Sequence, residues 1–100
     1  MRILVVGASG TIGQAVVERL SERHDIIRAG RSGADVQVDI TSEASIRAMY
    51  ETVGSVDAVI SATGGAHFGP LTDLTPELNQ IGIDSKLKGQ VNLVLLGLKS

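Results

Sequence analysis

Three glycines spaced three apart, Gly7, Gly10 and Gly13, stand directly behind a short apolar run, Ile3-Leu4-Val5-Val6. The segment reads Gly7-Ala8-Ser9-Gly10-Thr11-Ile12-Gly13, and a helical pattern begins inside it. Strand, glycine-rich turn and helix in that order form a cradle for phosphate. Gly7 turns the chain off the strand, Gly10 lets a pyrophosphate reach a backbone without a Cβ, and Gly13 lets the helix lie close to the sheet. The unpaired N–H groups and positive dipole end of the helix then face the anion. The same glycines could serve a tight turn with no ligand. Context favours a ligand, because the strand comes first in the chain and the helix starts on schedule. No Lys-Ser/Thr pair follows the glycines, which excludes a P-loop.

Other chemistry has less to stand on. His24 and His67 are isolated from carboxylates, so no metal site is expected. A chain without cysteine has no thiolate ligand, thiol nucleophile or disulfide. Ser61 and Thr63 lack the histidine–acid pattern of a nucleophile. His67 falls in the loop after the fourth expected strand, where a substrate cleft would open, or it is an ordinary loop histidine. A net charge of −2 gives no reason to expect nucleic acid or an anionic membrane as partner. The first apolar run is too short for a signal peptide and no stretch is long enough to span a bilayer, so a soluble, cytoplasmic protein is expected.

The elements that must position the cradle can be read along the chain. One hundred residues, 43% of them hydrophobic, suit one small domain with a core. That core must be aliphatic, since Tyr50 and Phe68 are the only aromatics. Ile12, Val16, Val17 and Leu20 mark the apolar face of a first helix. Residues 25–30 and 36–38 read as two strands. Thr41 or Ser42 caps a second helix whose apolar face is Ile46, Met49, Tyr50 and Val53, with Gly54 at its end. Residues 56–60 read as a fourth strand, apolar enough to be buried on both faces. Thr75-Pro76-Glu77 opens a late helix. Ile83, Leu87, Val91, Val94 and Leu98 form one stripe on it, Leu93 and Leu96 thicken another side, and Gly82 and Gly89 mark bends or close packing. Strands alternating with helices, β-α-β-β-α-β-α, imply an α/β fold with an open parallel sheet.

At this point the chain resembles the short-chain dehydrogenase/reductase family, as the N-terminal half of an atypical member. Gly7 to Gly13 matches that family's nucleotide fingerprint in its GxxGxxG variant. Asp39-Ile40-Thr41 is similar to the segment whose acid touches the adenine ring; Asp39 could equally cap the helix that follows. Asp57 to Gly64 resembles the segment ending in Asn-Asn-Ala-Gly that borders the cofactor, with Ser61, Ala62 and Thr63 replacing all but Gly64. Phe68-Gly69-Pro70-Leu71 and Leu87-Lys88-Gly89 also look like family segments. The resemblance implies a Rossmann-type doubly wound parallel sheet, and a protein about twice as long as these residues. It implies cofactor contacts from Gly7, Ser9, Gly10, Thr11, Ile12, Gly13, Asp39, Ile40, Ala62, Thr63 and Gly64.

Cofactor choice follows from charge. A dinucleotide fold that prefers NAD places a carboxylate at the end of the second strand. Here that position holds Gly30-Arg31-Ser32, with no acid. Arg31 can pair with a 2′-phosphate through two parallel hydrogen bonds, and Ser32 and Ser9 could add hydroxyls. NADP(H) is therefore expected over NAD(H), unless Arg31 is simply a solvated surface residue.

The family's chemistry uses a tyrosine with a lysine four residues later, which lowers a phenol pKa from near 10. The one tyrosine, Tyr50, is followed four residues on by Gly54 and falls on an apolar helix face, so it is a core residue. No catalytic residue is expected within 1–100 except Lys86, which stands where the family often has an asparagine and faces either the nicotinamide or water. Asn92 is a weaker candidate. The implied function is an NADP(H)-dependent oxidoreductase acting on a small carbonyl or alcohol substrate. The alternative is a non-catalytic NADP(H) sensor or interaction protein. By the same resemblance, a homo-oligomer would form through the helix around residues 83–98, with Leu93 and Leu96 near the interface.

Overall fold

The structure, a computed structural model, describes residues 1–63 and 69–98. Four strands, β1 (Arg2–Val6), β2 (Asp25–Gly30), β3 (Val36–Gln37) and β4 (Ala58–Ser61), alternate with helices α1 (Thr11–Leu20) and α2 (Glu43–Val53). A short 3₁₀ turn at Leu71–Asp73 then leads to one long helical rod. The rod consists of α3 (Pro76–Gly82), a π-helical segment (Ile83–Gly89) and α4 (Gln90–Leu98). The strands are all parallel in the order β3-β2-β1-β4. This is the open parallel sheet expected from the pattern, and the Rossmann-like N-terminal half that the resemblance implied.

β1 shows why the first apolar run has no polar alternation. Successive side chains leave a strand on opposite faces. Leu4 and Val6 join Ile46, Met49 and Val53 of α2 and Leu93 of α4 on one face. Ile3 and Val5 meet Val16, Val17 and Leu20 of α1 on the other. Helices cover both faces, so every position must be apolar. Caps fix where the helices start. Ser42 Oγ accepts from the Ser45 N–H at 3.2 Å, which makes Ser42 rather than Thr41 the cap of α2. Thr75 Oγ1 accepts from the Leu78 N–H at 3.2 Å at the start of α3.

Three expectations need correction. Ile12 is not on the covered face of α1 but 71% exposed, because Gly13 is the residue of that turn that lies against the sheet. β4 begins at Ala58 rather than at residue 56, and Val59 is exposed rather than buried on both sides. The entry to β4 is held by Arg2, whose guanidinium donates to the carbonyls of Val53 and Ser55, and by the Arg2 N–H to the Asp57 carboxylate at 2.8 Å. The outer flank of β4 opens on an apolar groove of about 410 Å³, walled by Tyr50, Val56, Val59, Leu93, Val94 and Leu98. In the rod, the core-facing side is the one carrying Leu93 and Leu96, whereas the sequence pattern places the other stripe there. Of the expected stripe, Leu87, Val91, Val94 and Leu98 are exposed and Ile83 is half-buried. Among the described residues no helix is long and apolar enough to cross a membrane.

Candidate nucleotide-binding site

The glycine turn is held by its neighbours. Gly7 sits at φ 86°, a left-handed conformation that side chains resist, and a Cβ there would stand 2.6 Å from the Ala62 carbonyl oxygen. At Gly13 a Cβ would stand 1.9 Å from the Gly7 carbonyl oxygen, a distance no packing can absorb. Gly10 differs from both. Its φ of −75° and ψ of 171° suit any residue, and a Cβ there meets only the Gly7 oxygen, at an ordinary 3.5 Å. Packing therefore demands glycine at 7 and 13 but not at 10. The turn is tied to the helix by Gln14, whose Nε2 donates to the Ser9 carbonyl at 2.8 Å.

Gly10 is also the N-cap of α1, with no capping side chain and no acid in the first turn. The first N–H groups of a helix have no intrahelical acceptor. α2 and α3 meet that need with Ser42 and Thr75 and carry Glu43 and Glu77 in their first turns. At α1 the donors and the dipole point outward over a cavity of about 280 Å³ at the carboxyl ends of the strands. Gly7, Ser9, Gly10, Arg31, Ile40 and Thr63 line it, with Ala62 beside them. A second cavity of about 510 Å³ shares Arg31, Ile40 and Thr63 and continues toward Ile81, Asp84 and Ser85.

Of the residues singled out in the sequence, Gly7, Ser9, Gly10, Arg31, Ile40, Ala62 and Thr63 are thus brought to one cavity. Thr11 and Ile12 are exposed in the first turn of α1, Gly13 is buried beneath it, and Ser32 is exposed next to Arg31 outside the lining. Gly64, His67 and Phe68 lie outside the described residues.

Asp39 does not line either cavity. Its Oδ1 accepts from the Thr41 hydroxyl at 2.7 Å and the Thr41 N–H at 3.0 Å, and pairs with Arg31 Nη2 at 3.4 Å. The Thr41 hydroxyl and amide, with Arg31 behind them, hold this carboxyl below its ordinary value. Its own N–H donates to Ser45 Oγ at 2.9 Å. These contacts close the turn that leads into α2, whose cap is Ser42 rather than Asp39.

Tyr50 is buried, and its hydroxyl donates to the Leu93 carbonyl at 2.7 Å. Burial pushes the phenol pKa up, the opposite of what an acid/base catalyst at neutral pH needs. Lys86 Nζ donates to the Thr63 carbonyl at 3.3 Å. Gln90, which the sequence reading passed over, donates to the same carbonyl from Nε2 at 2.7 Å. Its signal was an amide in an apolar helix, four residues after Lys86. Among the described residues no cluster of three or more His, Asp or Glu could hold a metal ion.

A parallel sheet whose order reverses at β1, with a glycine turn opening on that point, is the arrangement of a Rossmann-type nucleotide-binding domain. Residues 3–95 match the NAD dependent epimerase/dehydratase family, and the chain belongs to it. Among solved structures it is similar over its whole length to the protein lin1944 from Listeria innocua, with 61% identity and a TM-score of 0.96, covering 50% of that chain. A small-chain dehydrogenase in complex with NADPH is 27% identical over 99% of this chain and 45% of its own, with a TM-score of 0.86. A short-chain dehydrogenase/reductase from Vibrio parahaemolyticus shares the fold at 23% identity and a TM-score of 0.82, 97% of this chain matching 51% of that one. The chain thus spans about half the length of the solved relatives it matches. Comparison with curated proteins gives no significant match.

Proposed function

We propose that this chain is the NADP(H)-binding half of a short-chain oxidoreductase that moves hydride between nicotinamide and a carbonyl or alcohol. Gly10 carries the proposal: neither its backbone angles nor its packing requires glycine, and the bare backbone stands at an uncapped helix start. A pyrophosphate is the partner that needs both features. Nicotinamide, when bound, would give or take the hydride. The protein's part within these residues is to hold the phosphates at Ser9 to Gly13 and to place adenosine between Arg31 and Ile40. The relative solved with NADPH supports the same cofactor class.

Arg31 favours the phosphorylated dinucleotide. It is 76% exposed, and its pairing with Asp39 is a surface contact worth about 0–1 kcal/mol. A 2′-phosphate carries more negative charge than a carboxylate and offers the guanidinium fork three acceptor oxygens, so it competes with Asp39 for Arg31. Calorimetric titration tests this. Wild type is expected to bind NADPH more tightly than NADH, and Arg31→Asp to lose that preference. Equal affinity for both in wild type overturns the NADP assignment. No binding of either, by a folded chain, overturns the cofactor proposal and returns the glycine turn to a structural role.

The same reading extends to assembly. Leu87, Val91 and Leu95 recur every fourth residue along the rod, all exposed, and none lines the groove beside β4. This stripe suits a second copy of the protein, giving a homo-oligomer through the rod.

A further inference from the structure

Gln90 and Lys86 stand four residues apart on the rod and converge on one acceptor. Gln90 Nε2 lies 2.7 Å and Lys86 Nζ 3.3 Å from the carbonyl oxygen of Thr63. The other end of the Gln90 amide is also engaged, its Oε1 accepting from the Ser61 hydroxyl at 2.5 Å. One side chain thus bridges the last residue of β4 to a backbone group two residues beyond it. Lys86 lies within the π-helical segment and Gln90 directly follows it. Such segments interrupt the regular helix ladder and recur where side chains must be re-aimed. Thr63 belongs to the walls of both cavities, so what Gln90 and Lys86 hold is part of the nucleotide cleft.

Strand order says which part of a ligand this serves. In an order that reverses at β1, a dinucleotide lies across the reversal, one nucleotide on each side. The β2–β3 side carries Arg31 and Ile40, and the β4 side carries Ala62 and Thr63. We propose that Gln90 and Lys86 form a polar clamp on the exit of β4 that positions the nicotinamide-bearing nucleotide. This rests on the dinucleotide reading above and adds to it two positioning residues. A glutamine both donates to Thr63 and accepts from Ser61, which no apolar residue can do. Lys86 adds a second donor with a formal charge, shared with no carboxylate among the described residues.

The test compares two probes on the full chain. NADPH spans both sides, whereas adenosine 2′,5′-bisphosphate reaches only the Arg31 side and the cradle. Gln90→Leu and Lys86→Met are expected to weaken NADPH about tenfold and to leave adenosine 2′,5′-bisphosphate within about twofold, with Lys86→Arg restoring most of the NADPH affinity. Retained binding of the smaller probe shows that each variant is folded. Should Gln90→Leu fail to fold, the Lys86 pair decides alone. Variants that lose both probes equally, or lose neither, overturn the clamp while the cofactor reading stands. A wild type that binds neither probe overturns the cofactor reading, and the clamp with it.

Discussion

Replacing Gly10 with serine should improve the fold and damage the site. The backbone there is already in the extended conformation of an N-cap, at φ −75° and ψ 171°. A Cβ meets only one oxygen, at 3.5 Å, so the side chain enters without strain. Removing a glycine from the unfolded chain stabilises by about 0.4–1 kcal/mol where the native angles are compatible. Serine is a better N-cap than glycine by a few tenths of a kcal/mol. The two together give about 1 kcal/mol, which raises the Tm of a domain of this size by about 4–8 °C. The same hydroxyl now accepts from the N–H groups of the first turn and occupies the space a pyrophosphate would enter. Losing hydrogen bonds to a charged group costs about 1.5–3 kcal/mol, or roughly 10- to 150-fold in affinity. Thermal unfolding by circular dichroism and an NADPH titration on the same preparation read both effects. A Gly10→Ser protein that binds NADPH as wild type does would refute the cradle. One that melts well below wild type would refute the account of Gly10 as free of internal contacts.

Two further perturbations have readable outcomes. Asp39 and Asp35 both have pKa values below the ordinary carboxylate range, Asp39 through Thr41 first and Asp35 through the Arg28 N–H and guanidinium. A lowered folded pKa stabilises above the unfolded value of about 4 and loses that contribution as pH falls through the folded value. Urea midpoints should therefore drop on acidification below about pH 4, and Asp39→Asn should flatten part of that fall; an unchanged profile would remove the Thr41 contact from the account. For assembly, Val91→Asp with Leu95→Asp should shift the complete protein to monomer in sedimentation. A wild type that already sediments as monomer would end that proposal.

How legible each element was depended on the range of the interactions that set it. β1, β2, the capped start of α2 and the start at Thr75-Pro76 are local patterns, and the structure follows them closely. The three glycines were legible as a set but not as individuals. Only the Gly7 oxygen, 1.9 Å from a Cβ at position 13, shows that Gly13 answers to packing, while Gly10 has no internal constraint. Ile12 was misplaced for the same reason, since periodicity assigns a face to every helical residue and cannot know that a glycine has taken the contact. The sides of the rod were ambiguous because both are apolar. Leu93 faces inward because its side is where Tyr50 reaches, an interaction 43 residues away in sequence.

Polar residues within apolar stretches deserve a different treatment from periodicity. An amide in a helix that packs on a core either reaches water or finds a partner, because burying it unpaired costs about 1–3 kcal/mol. Gln90 is half-buried and uses both ends, on Ser61 and on Thr63. Its position four residues after Lys86 could have been noticed, but its partners lie 29 and 27 residues back and meet it only because β4 and the rod are neighbours. A regular helix could present the same two residues on one face. What the π-helical segment supplies is a local change of winding just where the rod passes the end of β4. The glycine turn and this segment both depart from regular structure beside the cleft, one through residues without side chains and one where Lys86, with Gln90 just after it, holds a carbonyl. In the first the backbone is left bare; in the second the Thr63 carbonyl is covered by Gln90 and Lys86, so that the strand end keeps its place.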